Sequence, residues 1–377
     1  MPLVLTEDEQ MLVESLRSLL SRSAPVAAFR ALRDSGDPKR YSPALWAELA
    51  EAGFAAPQVP EAEGGIGMGY AAAGLAAEEM GRVLAATPFL STALAIELLI
   101  AAGDAGQKAA LLPGLLDGSR LFALAIEEGG RHDPDTRATR ATRDGAGWRI
   151  EGTKRFVLDG GVADGLIVAT QGEDGPMLLL VDPGAPGVAV TPRASIDSRN
   201  AADIAFEGVS VGADAVLGGA NGSADDAAAA IARALDVGRV LLAAELLGIA
   251  QEAFDRTVAY LKEREQFGVK IGTFQALQHR AARQYVALDL ARSVVLKALR
   301  ALDEGDKARS ALASLAKAVT TRTAREAMNE AVQMHGGVGV TDEFDIGLFF
   351  KRARVAGETL GDDYFHRERL AKMVWGI

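Results

Sequence analysis

The sequence predicts a multidomain α+β fold, with an all-α N-terminal domain, a middle antiparallel β domain and an all-helical C-terminal domain. Three observations support this prediction. Apolar residues recur at helical spacing in the first third of the chain and again in its second half, where a long proline-free segment precedes Arg264. Between these regions, short apolar runs alternate with Gly, Pro and Asp, which is typical of strands and turns.

The N-terminal domain is predicted over residues 1–120. Thr6 and Glu9 have the spacing of a capping box, and leucines on one helical face follow them. Ser42 and Pro43 start another helix, and the Gly-rich stretch Glu61–Gly69 is predicted to be a loop. Further helices are predicted at Tyr70–Arg82, Thr92–Ala102 and Gly106–Leu116.

The middle domain is predicted over residues 121–220. Strands are predicted at Leu121–Ile126, Arg137–Arg143, Trp148–Glu151, Gly165–Ala169, Met177–Val181, Val188–Thr191 and Ala202–Phe206. Their spacing of roughly ten residues favours an antiparallel barrel or sandwich. Asn221-Gly222-Ser223 marks the end of this domain.

The C-terminal domain is predicted over residues 221–377. A long helix starts near Ala224, and Leu242, Leu246 and Ile249 lie on its buried face. Later helices are predicted at residues 276–302 and at Lys307–His335, Ile346–Ala356 and Asp363–Met373.

Composition limits the function classes. The net charge of −11 argues against a nucleic-acid partner, because phosphate binding requires a basic surface. The chain has no cysteine, which excludes disulfides and thiolate chemistry, and its four histidines lack helical metal-site spacing, so no metal is expected. The acidic N-terminus is unlike a targeting peptide, and no apolar run is long enough to span a bilayer. We therefore expect a cytoplasmic protein without a transmembrane segment.

The stretch Arg264–Gln275 interrupts the helical second half and is predicted to be a short turn between two long helices. It carries Gly268 and Gly272 between the two longest predicted helices, where binding groups are often displayed. The alternative is structural, with Arg264 capping a helix C-terminus and Phe267 filling the core.

Three motifs resemble those of one family. Arg-x-Gln-Phe-Gly-x-x-Ile-x-x-Phe-Gln at Arg264–Gln275 and Gln-Met-His-Gly-Gly-Val-Gly at Gln333–Gly339 are similar to the two signatures of the acyl-CoA dehydrogenases, which are flavoproteins. Glu51-Ala-Gly-Phe54, Pro60-Glu61 and Gly64-Gly-Ile-Gly67 resemble the usual opening of that family. The resemblance implies the three-part acyl-CoA dehydrogenase fold, with a four-helix-bundle-like C-terminal domain.

The resemblance also implies an FAD site at a subunit interface. Arg264 would bind the pyrophosphate, Gln266 and Phe267 would flank it, and Gln275 would reach the adenosine side. Gln333, Gly336 and Gly337 would approach the cofactor from the neighbouring subunit. The alternative for the two glycines is a plain helix C-cap.

The reaction implied by the resemblance is the α,β-dehydrogenation of an acyl-CoA thioester. A carboxylate removes the α-proton, and a hydride leaves the β-carbon for flavin N5. The implied partners are the acyl-CoA substrate, an electron-transfer flavoprotein as acceptor, and further subunits in a homo-oligomer (dimer or tetramer) or a hetero-oligomer.

The two family positions for the catalytic carboxylate fall on Leu360 and Gly238, neither of which can accept a proton. Substitutes close to them are Glu358, Asp362 and Glu245. The alternatives are structural: Glu358 and Asp362 would lie at a solvated helix end, and Glu245 would be paired within its apolar surroundings.

The flavin-facing motifs of the middle domain also depart from the family. Phe156 stands at the position of a Trp beside the flavin ring and can still stack, whereas Leu158 replaces a residue whose hydroxyl binds the flavin. Ile126 loses another hydroxyl, and Arg131 or His132 would compensate by binding an anionic group of the substrate.

These losses affect chemistry rather than scaffold. They resemble the small-subunit chains of hetero-oligomeric members, such as the pimeloyl-CoA dehydrogenase small subunit, in which another chain supplies the base. We therefore expect either activity by this chain alone or a base-deficient subunit with a base-carrying companion. The alternatives are a non-catalytic FAD/acyl-CoA-binding or assembly subunit, and a flavin oxidase or monooxygenase on the same fold.

Overall fold

The computed structural model describes residues 3–219 and 222–376. The chain forms two compact units: Met1–Ala31, Tyr70–Ala85 and Arg239–Ile377 make the first, and Leu32–Gly69 and Ala86–Gly238 the second. The predicted domain boundary between Ala220 and Asn221, and the predicted domain ends at Met1 and Ile377, lie outside the described residues. The boundary between residues 120 and 121 stays a prediction.

In chain order the helices are α1 (Glu7–Ser23), α2 (Val26–Ser35), α3 (Pro43–Glu51), α4 (Gly69–Val83), α5 (Phe89–Ala102), α6 (Ala105–Leu116), α7 (Ala224–Glu263), α8 (Gln275–Asp303), α9 (Arg309–His335), α10 (Ile346–Glu358) and α11 (Asp363–Trp375). Some helices, such as α1, bury one face, whereas α4 and α5 are largely buried. The capping box of Thr6 and Glu9 is present at α1, and Ser42 caps α3 with Pro43 in its first turn. The sequence analysis missed α2.

In the first unit, α9 packs against α8, α10 and α11. Helix α7 is buried on nearly all sides between Val240 and Ala250, so it is a core helix rather than one with a single buried face. It approaches α4 very closely. A Cβ on Gly248 would lie 1.9 Å from the Glu78 carbonyl oxygen, and a Cβ on Gly81 would lie 2.4 Å from that of Glu245. Glycine on both helices therefore allows this crossing.

The second unit contains the predicted β domain. Its strands are β1 (Phe122–Ala125), β2 (Arg140–Asp144), β3 (Gly147–Leu158), β4 (Gly165–Gln171), β5 (Pro176–Val181), β6 (Val188–Pro192) and β7 (Ala201–Val211). They form one sheet in the order β1-β4-β2-β3-β7-β6, with β5 paired to β4. Helix α5 packs against β1.

The sheet is mainly antiparallel, as predicted, but β1 pairs with β4 in parallel and β2 meets β4 in parallel through Arg140 and Gln171. Sequential strand spacing cannot reveal these pairings, because they join strands that are not neighbours in sequence. Strand β3 extends well beyond the predicted Trp148–Glu151, since two β-bulges let it follow β7 to its end.

Candidate functional site

The stretch Arg264–Gln275, which we call the hairpin segment, contains two short antiparallel strands, β8 (Glu265–Gln266) and β9 (Val269–Lys270). Phe267 and Gly268 form the turn, with φ of +56° and +78°. Positive φ at both central residues gives a turn whose twist matches that of its strands. The Arg264 carbonyl accepts a hydrogen bond from Ile271 at 2.9 Å, which closes the base of the hairpin. Both Arg264 and Gln266 are exposed.

Phe267 is not a core residue, which corrects the structural alternative. Its side chain is 91% exposed, and its ring meets that of Phe274 edge-on at 6.2 Å. Val269, in the next strand, is 43% exposed. Grouped exposed apolar side chains mark a surface that binds a ligand or another chain.

The second signature lies at the end of α9. Gln333 and Gly336 are exposed, and Gly336 ends the helix with φ +65°, so the helix-cap interpretation holds for it. Gly337 is different: it has no positive φ, and a Cβ there would meet no atom within 4 Å. Its lack of a side chain is therefore not explained by the contacts of this chain.

Aromatic packing joins the two signatures within the first unit. Tyr260, one turn before Arg264, stacks on His335 with ring centroids 4.4 Å apart, and Phe344 packs edge-on against both. His335 Nδ1 lies 2.8 Å from the Ala331 carbonyl, which can only accept, so Nδ1 carries the proton. Burial lowers the pKa of His335 and favours the neutral ring. Tyr260 and Phe344 were not predicted as site residues from the sequence.

Gln275, the first residue of α8, is exposed.

The turn Gly357–Gly361, which we call the clamped turn, contains Leu360, where the family resemblance places the catalytic base. Leu360 has φ +56° and is buried, and its carbonyl accepts hydrogen bonds from His366 Nε2 at 3.0 Å and Arg239 Nε at 3.4 Å. Lys317 Nζ donates to the carbonyls of the first and last residues of the turn at 2.8 and 3.1 Å. Side chains from α7, α9 and α11 thus hold the carbonyls of the turn inward.

Lys317 is completely buried and also donates to the Thr321 hydroxyl at 3.4 Å. Burial lowers the pKa of Lys317 to about 7, against the opposing effect of the Glu358 charge. The acceptors of its ammonium group are neutral, so desolvation is not offset by a bonded carboxylate. Lys317 lies in the apolar stretch Ala311–Val319, and that setting is the sequence signal from which its burial could have been predicted.

None of the three substitute carboxylates has its side chain in the interior of the clamped turn. Glu358 is half exposed and pairs with Arg354 at 3.1 Å, while Asp362 caps α11 by accepting from the Phe365 amide at 2.8 Å. Glu245 pairs with the buried Arg352 at 3.4 Å. Gly238 is buried within α7 and precedes Arg239.

In the second unit, Phe156 and Leu158 lie at the end of β3. Phe156 has φ +49° and is 61% exposed. The Leu158 carbonyl lies 3.4 Å from the Ser91 hydroxyl, which also donates to the Asp159 carboxylate at 2.5 Å. Asp159 in turn donates its amide to the Asn200 carbonyl at 3.0 Å. This segment is therefore tied to α5 and β7.

The loop after β1 is held by a His–Glu contact and by a Lys–Glu ion pair. His132 Nδ1 lies 2.5 Å from the Glu127 carboxylate, and its side chain is almost buried, whereas Arg131 is exposed. Lys154, fully buried on β3, donates to Glu128 at 2.6 Å. Burial opposes ionisation of Glu128, but Lys154 and two backbone amides outweigh it and lower the pKa of Glu128 to about 2.

Within residues 3–219 and 222–376, no helix is long and apolar enough to cross a bilayer. The same residues contain no cluster of three or more His, Cys, Asp or Glu side chains suited to a metal ion.

Comparison with known proteins gives matches over nearly the whole chain. Models of the acyl-CoA dehydrogenase N-terminal, middle and C-terminal domains match residues 6–119, 122–209 and 228–375. Acyl-CoA dehydrogenase IpdE2 of Mycolicibacterium smegmatis is 33% identical over 370 residues, covering 98% of either chain. A solved variant of the Tcur3481-Tcur3483 steroid ACAD is 34% identical, with a TM-score of 0.88 and coverage of 98% of each chain. The ChsE4-ChsE5 complex from Mycobacterium tuberculosis is 26% identical, with a TM-score of 0.88 and coverage of 99% of each chain.

Proposed function

Because the chain belongs to the acyl-CoA dehydrogenase family, we propose that it is the base-deficient subunit of a hetero-oligomeric, FAD-dependent acyl-CoA dehydrogenase. The family, the helix–sheet–helix fold class and the class of oxidoreductase acting on CH–CH bonds are as predicted from the sequence. FAD, the predicted cofactor, is the cofactor of this family.

The observation that carries the proposal is the clamped turn. Removal of the weakly acidic α-proton needs a carboxylate close to the α-carbon. Leu360 occupies the family position. Arg239 and His366 hold its carbonyl, and Lys317 holds those of Gly357 and Gly361. Bringing Glu358 or Asp362 to that position would break these hydrogen bonds and leave buried donors unsatisfied, at a cost of about 1–3 kcal/mol for each. A carboxylate from a companion chain avoids this cost.

The hairpin segment supports the assignment of the cofactor site. Arg264 offers a planar set of donors to pyrophosphate oxygens, and it is exposed beside Gln266 and Phe267. The open space above Gly337 allows a ligand to approach the backbone directly. Gln275 would contribute to the same dinucleotide site, and Gln333, Gly336 and Gly337 would complete it from the neighbouring subunit.

When bound, FAD accepts the hydride that leaves the β-carbon of the substrate. The residues of this chain would bind and orient the cofactor and the substrate. Phe156 presents an exposed ring that can cover a flavin, and the segment through Leu158 and Asp159 is fixed by Ser91 and Asn200. We further propose that exposed Arg131 binds an anionic group of the acyl-CoA substrate, while His132, held by Glu127, orders the loop.

The composite names of two similar structures support a role in a multi-chain enzyme. One is called a complex of ChsE4 and ChsE5, and the other joins Tcur3481 to Tcur3483 in a steroid ACAD. We further propose that a companion chain carries the base and that the acyl-CoA substrate contains a ring system. An electron-transfer flavoprotein would be the electron acceptor. We also propose a cytoplasmic location.

The test is dye-coupled turnover of a panel of linear and ring-bearing acyl-CoAs. The panel is assayed with this chain alone, with a base-carrying companion alone, and with both co-expressed. We expect turnover to require both chains, with FAD bound to the purified complex. Full activity of this chain alone, abolished by Glu358→Gln or Asp362→Asn, would overturn the proposal.

The loss of functional groups at Leu158 and Leu360 favours one second candidate, a non-catalytic FAD/acyl-CoA-binding or assembly subunit. Arg264→Ala within the complex separates the two functions. If this chain holds the working flavin, the variant loses FAD and turnover together. If the chain serves only assembly, the variant complex keeps full turnover.

A further inference from the structure

Phe156 occupies a break in the sheet. Strand β3 pairs with β7 up to Lys154 and again from Val157, with a shift of register between these positions. Phe156 therefore lies outside the ladder, and its φ of +49° is uncommon for an aromatic residue. Such a backbone conformation persists only where the surroundings stabilise it.

Asp203, on β7, supplies that stabilisation. One of its carboxylate oxygens accepts the Phe156 amide at 3.1 Å, and the other is bound by Arg193 Nη2. Asp203 is 9% exposed, whereas Arg193 reaches it from the surface beside β6. The Arg193 guanidinium holds the pKa of Asp203 below its ordinary value, against a smaller opposing effect of burial.

The arrangement replaces a strand hydrogen bond with one to a charged acceptor. A backbone amide that donates to a carboxylate is held more strongly than one that donates to a carbonyl. Arg193 fixes the orientation of the Asp203 carboxylate. The carboxylate therefore does not rotate away from the Phe156 amide. The neighbouring amide of Arg155 donates to the Glu127 carbonyl at 2.7 Å, which anchors the bulge on its other side.

We propose that Asp203, held by Arg193, is a positioning residue that keeps the Phe156 backbone in the left-handed region and so directs its ring out of the sheet toward the flavin. This assignment rests on the proposed function for the identity of the ligand. The backbone part of it does not depend on that function. Asp203 itself does not touch the reacting atoms in this assignment.

The first measurement is hydrogen–deuterium exchange of peptides covering residues 150–160, together with titration of the full chain with FAD. We expect Asp203→Ala to speed exchange of the Phe156 amide by at least tenfold and to raise the Kd for FAD by about fivefold to tenfold. Asp203→Asn keeps an acceptor of the same size, so its exchange should lie between those of the wild type and Asp203→Ala. The matched control is Asp144→Ala, which removes an Asp–Arg pair with Arg149 in the same sheet.

The second measurement separates positioning from general stabilisation. Glycine adopts positive φ without strain, so in a Phe156→Gly background the fall in melting temperature caused by Asp203→Ala should shrink by at least half. An equal fall in both backgrounds, with unchanged exchange at residue 156, would overturn the proposal.

The two hypotheses fail in different ways. If the wild type binds no FAD, the proposed function fails, and the exchange and double-variant results still decide the role of Asp203. If the wild type binds FAD and Asp203→Ala changes neither exchange nor affinity, the positioning role fails alone. Should Asp203→Ala not fold, Asp203→Asn provides the same comparison.

Discussion

The hairpin segment and the clamped turn share one backbone feature in opposite surroundings. In each, an apolar residue with φ +56° precedes a glycine with positive φ: Phe267 and Gly268 in one, Leu360 and Gly361 in the other. Phe267 is 91% exposed, whereas Leu360 is 6% exposed. A Cβ on Gly268 would meet nothing within 4 Å, but one on Gly361 would lie 2.5 Å from the Phe365 ring.

The difference shows that local conformation does not decide what such a turn does. At the hairpin segment, exposed apolar and cationic side chains leave a surface to be covered from outside this chain. At the clamped turn, the chain fills the site with its own donors, and an apolar side chain stands where the family has a carboxylate. In the proposed function, the first region binds the cofactor and the second lacks the reacting group.

The largest expected effect breaks the clamped turn. Gly361→Ala combines a positive φ with a clash against Phe365 and His366, so we expect a loss of unfolding free energy on the order of 3–4 kcal/mol. Gly268→Ala has the backbone cost alone, about 1 kcal/mol. Chemical denaturation of both variants checks this, and equal losses would contradict the difference in packing.

A comparable effect on binding is expected at the hairpin segment. If Arg264 binds the FAD pyrophosphate as proposed, Arg264→Ala removes charge-assisted hydrogen bonds to phosphate, and the Kd for FAD should rise by about 100-fold, or ~3 kcal/mol. Arg322→Ala is the control, because Arg322 is an exposed cation of the same unit that pairs with Glu326. Calorimetric titration measures both. Unchanged affinity for Arg264→Ala would remove the hairpin segment from the cofactor site.

The two regions also differ in how far the sequence predicts them. The hairpin segment could be located from its motif and its glycines, since a turn between two long helices is a local feature. The clamped turn could not, because Arg239, Lys317 and His366 converge on it from helices far apart in sequence. The exposure of Phe267 could not be predicted from the sequence either, because an apolar residue in a short turn is as compatible with the core as with an interface.

The same distinction applies to the sheet. Strand positions follow from alternating composition and turn residues, so the predicted strands lie close to β1–β7. The parallel pairing of β1 with β4 and the bulge at Phe156 depend on which strands meet, and no local pattern encodes that.

A smaller effect depends on pH. Folded Lys317 releases its proton near pH 7, whereas the unfolded chain keeps it until about pH 10.5. Between these values the unfolded state binds more protons, so this group makes stability rise with pH. In Lys317→Met that contribution vanishes, and the stability of the wild type relative to the variant should increase by about 2 kcal/mol between pH 7 and pH 9.

Urea denaturation at the two pH values measures this contribution. Lys372→Met is the control, because Lys372 is exposed and pairs only locally with Glu368. A difference between the wild type and Lys317→Met that stays constant with pH would show that Lys317 keeps its charge in the folded protein. The Lys317 ammonium group that binds the clamped turn would then be charged at both pH values.

The smallest effect on stability is expected at Phe267. Asn tolerates positive φ, and Asn-Gly suits a two-residue hairpin turn, so Phe267→Asn should change the unfolding free energy by less than about 0.5 kcal/mol. Leu360→Asn places an amide in a buried site at the equivalent backbone position and should cost several-fold more. The consequence of Phe267→Asn should instead appear in assembly and FAD affinity, measured by sedimentation and titration. If Phe267→Asn changes neither assembly nor FAD affinity, neither a partner subunit nor FAD covers the Phe267 ring. Phe267 and Leu360 would then differ in burial alone.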